Sequence, residues 1–164
     1  MAQLAAFDIV SDFDQQELRN ALDQALREIQ TRYDLKDTKT TIDHGENDLT
    51  INSASEMSLQ QVRDLLESKF VRRNLSLKIL DYQKEEPASG GRVRQVVKLR
   101  RGIPDDLARQ ITKKIRDEHK KVTPQVQGDA VRVSGTKRDE LQNAIALVKK
   151  AITDFPLQYQ NFRD

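Results

Sequence analysis

The stretch VTPQVQGDAVRVS, residues 122–134, predicts a β-hairpin and decides the fold. Two runs that contain several β-branched residues surround Gly128-Asp129, a dipeptide that favours a tight turn. Apolar residues recur at helical spacing on both sides of the hairpin, so it lies between two predicted helices. The apolar positions before it are Leu107, Ile111 and Ile115, and those after it are Leu141, Ile145, Val148 and Ile152.

Further outward, a strand is predicted at each end of this unit. One face of the first strand consists of Val93, Gln95, Val97 and Leu99. Pro104 fits the first turn of the following helix, where its missing N–H costs little. The helix after the hairpin is predicted to open at Thr136 and to end at Pro156, before an alternating strand over 157–162. The order from Arg92 to Phe162 is thus βαββαβ, the pattern of a ferredoxin-like α+β sandwich.

The same order occurs once before, from Ala5 to Tyr82. A strand over 7–10 is followed by Asp14 and Glu17, whose spacing predicts the start of a helix. The core face of that helix is predicted to consist of Leu18, Leu22, Ala25, Ile29 and Tyr33. A hairpin turn over 45–48 then joins two short strands.

The second helix of this earlier unit is predicted to begin at another capping pair, Ser58 with Gln61. Its apolar face consists of Leu59, Val62, Leu66 and Phe70. Leu75, Leu77 and Ile79 then alternate along a longer predicted strand. Residues 85–91, EEPASGG, break the pattern and predict a linker between the two units.

The composition excludes several classes of protein. In 164 residues, 37% are hydrophobic and 33% charged, and no apolar run approaches the roughly 20 residues that span a bilayer. Residues 1–10 lack the basic start of a secretory signal. With zero cysteines there is no disulfide framework and no thiol nucleophile, so a reducing cytoplasm is the expected compartment. Because no apolar run is long enough to span a bilayer, no membrane partner is expected.

The charge is divided unevenly along the sequence. Residues 1–87 carry 17 Asp or Glu and 11 Lys or Arg, whereas residues 88–164 carry 9 and 17. An acidic half followed by a basic half indicates either polyanion binding by the second half or two units that attract each other. Two solvated surfaces that merely differ in charge are the alternative.

Residues with catalytic chemistry are scattered and lack partners in sequence. His44 and His119 have no neighbouring ligands that would form a metal site, and Asp105-Asp106 fits the first turn of a helix, where acidic residues complement the dipole. Gly90-Gly91 leads into a strand and not into a helix, so it is not a phosphate loop. No enzyme activity, metal or cofactor is therefore expected.

Basic residues give the strongest functional signal. Four of them lie on one side of the strand that opens the second unit, and two more lie further along the chain. The predicted nucleotide-binding residues are Arg92, Arg94, Lys98, Arg100, Lys120 and Arg132. Such groups bind phosphates, and arginine adds planar, bidentate hydrogen bonding. The alternative is a solvated face that forms salt bridges with the acidic first half.

RNA-recognition modules of this topology stack bases on aromatic residues of their central strands. Here the central strands 49–51 and 131–133 contain no aromatic residue, and Phe7 is predicted to be in the core. Sequence-specific stacking on the sheet is therefore disfavoured, while phosphate-driven binding to a nucleotide or to an RNA backbone stays open.

Four segments resemble the bacterial YajQ family. They are FDIVS at 7–11, RYDLK at 32–36, QGDAVRVSG at 127–135 and PLQYQNFR at 156–163. The resemblance covers essentially the whole chain. It implies two ferredoxin-like domains that exchange their first strands, so that residues 11–100 are completed by the basic strand near 92–100, and residues 1–10 join 101–164.

The resemblance also implies a cytosolic nucleotide-binding protein with no known catalytic residues. Some relatives are reported as effectors for cyclic di-GMP, and others are linked to RNA. The first hypothesis is a non-enzymatic nucleotide-binding protein, a cyclic di-GMP effector that passes its signal to a transcription regulator or to DNA. The second is an RNA-binding (tRNA-binding) accessory protein that uses the basic half of the chain.

Overall fold

The computed structural model describes residues 4–163, which form four α-helices and nine β-strands in two compact units. Unit 1 combines the described residues up to Asp12 with those from Arg101 onward, and unit 2 is Phe13–Arg100. Each unit contains one antiparallel β-sheet and two helices. The predicted α+β class with two ferredoxin-like units is confirmed.

Unit 1 contains the first strand of the chain and the elements of its C-terminal part. These elements are β1 Ala5–Val10, α3 Asp105–Glu118, β7 Val122–Gln127, β8 Ala130–Gly135, α4 Arg138–Ala151 and β9 Gln158–Arg163. The strand order is β7-β8-β1-β9, so β1 lies inside the sheet between two strands from the other end of the chain. Phe7 and Ile9 of β1 are fully buried in one core with Ile111 and Ile115 of α3.

Unit 2 contains the remaining elements. These are α1 Gln15–Thr31, β2 Thr41–His44, β3 Asp48–Ser53, α2 Glu56–Arg72, β4 Leu80–Tyr82, β5 Glu86–Ala88 and β6 Arg92–Leu99. The sheet order is β2-β3-β6-β4, and β5 also pairs with β6. The predicted apolar faces of α1 up to Ile29 and of α2 are confirmed, because those residues are buried in one core.

The predicted linker over 85–91 is wrong. Residues 86–88 form β5, which pairs antiparallel with β6 inside unit 2. Pro87 is tolerated because β5 is a short strand, paired only with β6, and does not need every N–H in the ladder. Gly90 and Gly91 both have φ of +74°, a conformation that glycine adopts without steric cost, and they make the hairpin turn. The segment that the sequence pattern indicated as a linker therefore forms a tight hairpin turn between β5 and β6.

Tyr33 is not part of the α1 core face. The helix ends at Thr31, the next residue has an extended backbone, and the Tyr33 side chain is 88% exposed. Leu35, two residues later, is fully buried and occupies the core. The spacing from Ile29 to Tyr33 fits one more helical turn, but the helix ends two residues before Tyr33.

Two further boundaries differ from the prediction. Helix α2 begins at Glu56, because Ser55 is its N-cap and forms a capping box with Ser58, which the sequence had suggested as the cap. Residues 77–79 form a 3₁₀ turn rather than a strand, since the Ser76 hydroxyl accepts a hydrogen bond from the Lys78 N–H. The Leu77 side chain is 40% exposed in this turn, and the strand starts only at Leu80.

The charge asymmetry of the sequence does not divide the folded units. Unit 2 holds 15 Lys or Arg and 15 Asp or Glu, because β6 brings basic residues into the acidic half. The described residues of unit 1 hold 13 and 10. Within residues 4–163, no helix combines the length and the apolar character that a membrane span requires.

Candidate phosphate-binding site

Strand β6 has two distinct faces. Gln95, Val97 and Leu99 are buried on the side of the core, and the residues between them point to the open face of the sheet. We use the name β6 cationic row for Arg92, Arg94, Lys98 and Arg100, of which the last follows directly after the strand. Neighbouring open-face positions on a strand are about 7 Å apart along its axis. The predicted alternation therefore places four cations on one surface, with Val96 between Arg94 and Lys98.

The first two arginines of the row are held by groups of unit 2. The Arg92 Nε donates to Asn52 Oδ1 at 2.6 Å, and its Nη2 donates to the Lys39 carbonyl at 2.9 Å. Arg94 Nη2 donates to Glu86 Oε2 at 2.9 Å, across the ladder between β5 and β6. These contacts fix the guanidinium groups above the sheet.

The other two cations differ from each other. Arg100 donates to the Lys78 carbonyl at 3.0 Å and lies 3.3 Å from Asp81 Oδ1. Lys98 lies opposite Asp48 on β3 and Asp81 on β4, and its side chain is exposed. Within residues 4–163, the Lys98 ammonium forms no hydrogen bond or ion pair, which distinguishes it from the three arginines of the row.

Both interpretations that the sequence left open have support. Arg94 and Arg100 do pair with carboxylates of the first half of the chain, as the salt-bridge alternative predicts. However, the Arg94 and Glu86 side chains are 46% and 55% exposed, and ion pairs at such exposure contribute about 0–1 kcal/mol. The Arg94–Glu86 pair therefore contributes little to the stability of unit 2.

Lys120 and Arg132 belong to unit 1, so unit 2 alone does not bring the six predicted residues together. Lys120 is exposed in the turn before β7. Arg132 Nε donates to Asp8 Oδ1 at 3.0 Å, and the same carboxylate accepts a hydrogen bond from Asn161 Nδ2 at 2.7 Å. Burial alone would raise the pKa of Asp8, but the hydrogen bonds and charge of Arg132, with those from Asn161 and Arg163, lower it. The roles of Lys120 and Arg132 stay predictions.

The open-face positions of β2, β3 and β6 contain no aromatic residue, as the sequence indicated. An exposed ring occurs elsewhere in unit 2, where Tyr33 lies with the Lys36 ammonium 5.7 Å from its centroid. Arg32 and Asp34 form a bidentate pair beside it, at 2.7 and 2.9 Å. The sequence predicted this ring on the core face of α1, although the charged residues on both sides of it were a signal that it lies on the surface.

The described residues show no catalytic constellation. No group of three or more His, Cys, Asp or Glu within 4–163 is arranged to hold a metal ion. Burial raises the pKa of Tyr82, and it raises the pKa of Tyr159 to about 12, so neither phenol is ionised near neutral pH. Burial, followed by the charge of Asp64, raises the pKa of Glu67. These shifts follow from packing and assemble no acid–base pair.

The fold and this surface define the class: an α+β protein of two ferredoxin-like units with a row of cations on an open sheet face. Residues 5–163 match the family described as nucleotide-binding protein YajQ-like. The chain belongs to this family, and the resemblance seen in the sequence is confirmed.

Several relatives are similar over nearly their whole length. The chain is 59% identical over 160 residues to a protein of Chloroflexus aggregans named nucleotide-binding protein, covering 96% of this chain and 97% of the relative. It is 55% identical over 163 residues to a nucleotide-binding protein of Trichodesmium erythraeum and 53% identical over 163 residues to one of Picosynechococcus, covering 99% of this chain and 100% of each relative.

Proposed function

We propose that this chain is a non-enzymatic nucleotide-binding protein that binds cyclic di-GMP through the β6 cationic row. The observation that carries the proposal is the group of four cations, at positions 92, 94, 98 and 100, on the open face of unit 2. The names of the relatives support nucleotide binding, and none of the three cited here is named as an enzyme.

The chemistry of the row suits a ligand with two phosphodiester groups. Arg94 and Lys98 are four residues apart on one face, which separates their backbones by about 13 Å along the strand. Each can therefore contact a different phosphate of one cyclic dinucleotide. Arginine supplies a planar fork for phosphate oxygens, whereas the ammonium of Lys98 acts as a point charge. Lys98 forms no ion pair within the described residues, but Asp48 and Asp81 lie opposite it on the neighbouring strands and compete with a phosphate.

Binding requires that the ligand displace Glu86 from Arg94. This exchange replaces one exposed charge-assisted hydrogen bond by another, so the net loss is small. In the proposed role of an effector, the occupied surface then presents a different charge to a transcription regulator or to DNA. Such a signal requires that the regulator or the DNA binds the free protein and the ligand-bound protein with different affinities.

The test is the Arg94→Ala/Lys98→Ala variant, measured by isothermal titration calorimetry with cyclic di-GMP. We expect the affinity to fall by at least about tenfold, because hydrogen bonds to charged groups contribute about 1.5–3 kcal/mol each. The melting temperature should change little, because both side chains are exposed. GMP and tRNA are titrated in parallel to compare ligand classes.

The matched control is Arg109→Ala/Lys113→Ala on α3 of unit 1. It removes the same two residue types at the same sequence spacing, and both side chains are exposed. Full affinity in this control is expected. Unchanged affinity in the Arg94→Ala/Lys98→Ala variant would show that the β6 cationic row is not the site.

RNA binding is the second candidate function, and one observation favours it. The open face of unit 2 combines cations with polar side chains such as Thr50 and lacks aromatic residues, which suits a phosphate backbone more than stacked bases. The logarithm of the RNA affinity should then fall steeply with the logarithm of the salt concentration, by about 0.7 for each phosphate that is neutralised. A flat salt response would contradict this function.

A further inference from the structure

Unit 2 has another cationic surface on its helical layer, in a cleft between α1 and α2. Its volume is about 650 Å³. We call it the helix cleft, and it is lined by Gln24, Arg27, Glu28, Thr31, Lys69, Arg72 and Arg73. Four of these side chains are cationic, while the lining includes a single carboxylate within residues 4–163. This cationic surface lies in the half of the sequence that is acidic on average.

Two of the four cations are already neutralised. Lys69 is only 6% exposed, and its Nζ lies 2.9 Å from Glu28 Oε1. Arg73 Nη1 lies 3.6 Å from Glu17 Oε2 at the other end of α1. These two pairs leave the cleft walls fixed in position and account for the nearby carboxylates.

Arg27 and Arg72 are different. Both are exposed at the rim of the cleft, one on each helix, and within residues 4–163 neither guanidinium group has a hydrogen-bond or ion-pair partner. Two like charges that face one concave surface repel each other, and an anion bound between them would remove this repulsion. Both guanidinium groups are therefore available to a negatively charged ligand.

The helix dipole does not account for this arrangement. The C-terminal end of α2 carries a partial charge of about −0.5, which one cation in the last turn complements. Lys69 and Arg72 both lie in that last turn, and Arg73 caps it. Arg27 lies on α1, before the last turn of that helix. The dipole of α2 therefore does not explain why Arg27 is cationic.

We propose that the helix cleft binds a compact polyphosphate group through Arg27 and Arg72. Two unpaired guanidinium forks suit two adjacent phosphates, each of which can accept bidentate hydrogen bonds. No aromatic side chain lines the cleft within the described residues, so the recognised chemistry is the phosphate chain rather than a base. This site is separate from the β6 cationic row and does not depend on the function proposed for that row.

The test uses inorganic tripolyphosphate as the probe and calorimetry on the full chain at constant ionic strength. The Arg27→Gln/Arg72→Gln variant should bind at least about tenfold more weakly, because it loses the two unpaired charged donors. The control is Arg109→Gln/Arg116→Gln, which removes two exposed arginines from α3 of unit 1. The α3 control should keep wild-type affinity for tripolyphosphate, and the Arg94→Ala/Lys98→Ala variant, titrated in parallel, reports any binding of the probe at the β6 cationic row.

A parallel titration with ATP distinguishes the two sources of the phosphate chain. Equal affinity for ATP and tripolyphosphate assigns the cleft to the phosphate chain alone, and tighter binding of ATP assigns it to a nucleotide; in both cases the Arg27→Gln/Arg72→Gln variant must lose affinity. The proposal is overturned if the wild type binds neither probe, if that variant binds as the wild type does, or if the α3 control loses as much affinity. Loss of tripolyphosphate binding only in the Arg94→Ala/Lys98→Ala variant would also overturn it.

Discussion

At the level of single residues, the burial of an aromatic ring determines how much it contributes to the stability of unit 2. The Phe70 ring is fully buried in the core, whereas the Tyr33 ring is 88% exposed and has a lysine as its neighbour. Both were expected on core faces from their spacing. The structure assigns them opposite roles, which can be measured.

Tyr33→Ala should change the free energy of unfolding by no more than about 0.5 kcal/mol, because surface substitutions rarely do more. Phe70→Ala should lower it by about 3–5 kcal/mol, because it leaves a cavity in the core. Urea denaturation of the two variants provides the comparison. A loss of several kcal/mol for Tyr33→Ala would place that ring in the core after all.

The reason for the error at Tyr33 is physical. Helix α1 ends without glycine or proline, since the residue after Thr31 simply adopts an extended backbone. The helical spacing of apolar residues therefore continues in the sequence from Ile29 to Tyr33, although the helix ends at Thr31. At Phe70 the period and the helix end together, because α2 runs to Arg72.

At the level of elements, the start of α2 depends on a small network of hydroxyl groups. The Ser55 side chain accepts a hydrogen bond from the Ser58 N–H at 3.1 Å, and the Ser58 hydroxyl accepts one from the Ser55 N–H at 3.0 Å. The Ser58 hydroxyl also lies 2.7 Å from the buried Ser53 hydroxyl of β3. The capping box thus joins the helix to the sheet.

Ser55→Ala should lower the free energy of unfolding by about 1 kcal/mol, the usual effect of losing an N-cap. Lys137 of α4 provides the control, because it occupies the same N-cap position but makes no side-chain capping bond. Lys137→Ala should therefore have almost no effect. Equal effects of the two substitutions in denaturant titrations would show that the Ser55 cap contributes nothing.

The sequence predicts the positions of the β6 cations but not their partners. Alternation along one strand predicts which side of β6 holds Arg94 and Lys98, because side chains alternate with a period of two. It does not predict their partners, because Glu86 and Asp81 reach the row only through the pairing of β5 and β4 with β6. Strand pairing depends on distant parts of the chain, and local patterns do not contain it.

The helix cleft could not be predicted for the same reason. Arg27 and Arg72 are far apart in sequence and lie in a half of the chain that is acidic on average. Only the packing of α1 against α2 brings them to one surface. Counting charge over long segments therefore missed a cluster that depends on which helix faces meet.

For the whole molecule, the position of β1 in unit 1 has a direct consequence for fragments of the chain. β1 pairs with β8 on one side and with β9 on the other, and its Phe7 and Ile9 side chains are fully buried. Without β1, the sheet of unit 1 is divided and the core loses both residues. Unit 2, by contrast, is formed by one continuous segment, Phe13–Arg100.

A fragment of residues 13–100 should therefore fold alone, whereas a fragment of residues 101–164 should not. Circular dichroism and heteronuclear NMR spectra of the separately expressed fragments test this expectation. Addition of a synthetic peptide of residues 1–12 should restore structure to the second fragment. A folded spectrum for residues 101–164 without the peptide would contradict the expectation.

The inside position of β1 also determines the order of events on the ribosome. Ala5–Val10 leaves the ribosome before all the other described strands, yet its partners β8 and β9 are synthesised only after the whole of unit 2. At about 5–20 residues per second, the apolar Phe7 and Ile9 wait roughly 6–30 s for β8 and β9, the strands that pair with β1. During that interval unit 2 can complete its fold, while the nascent chain carries an unpaired apolar strand on the N-terminal side of unit 2. A chaperone that binds short extended segments can bind this strand.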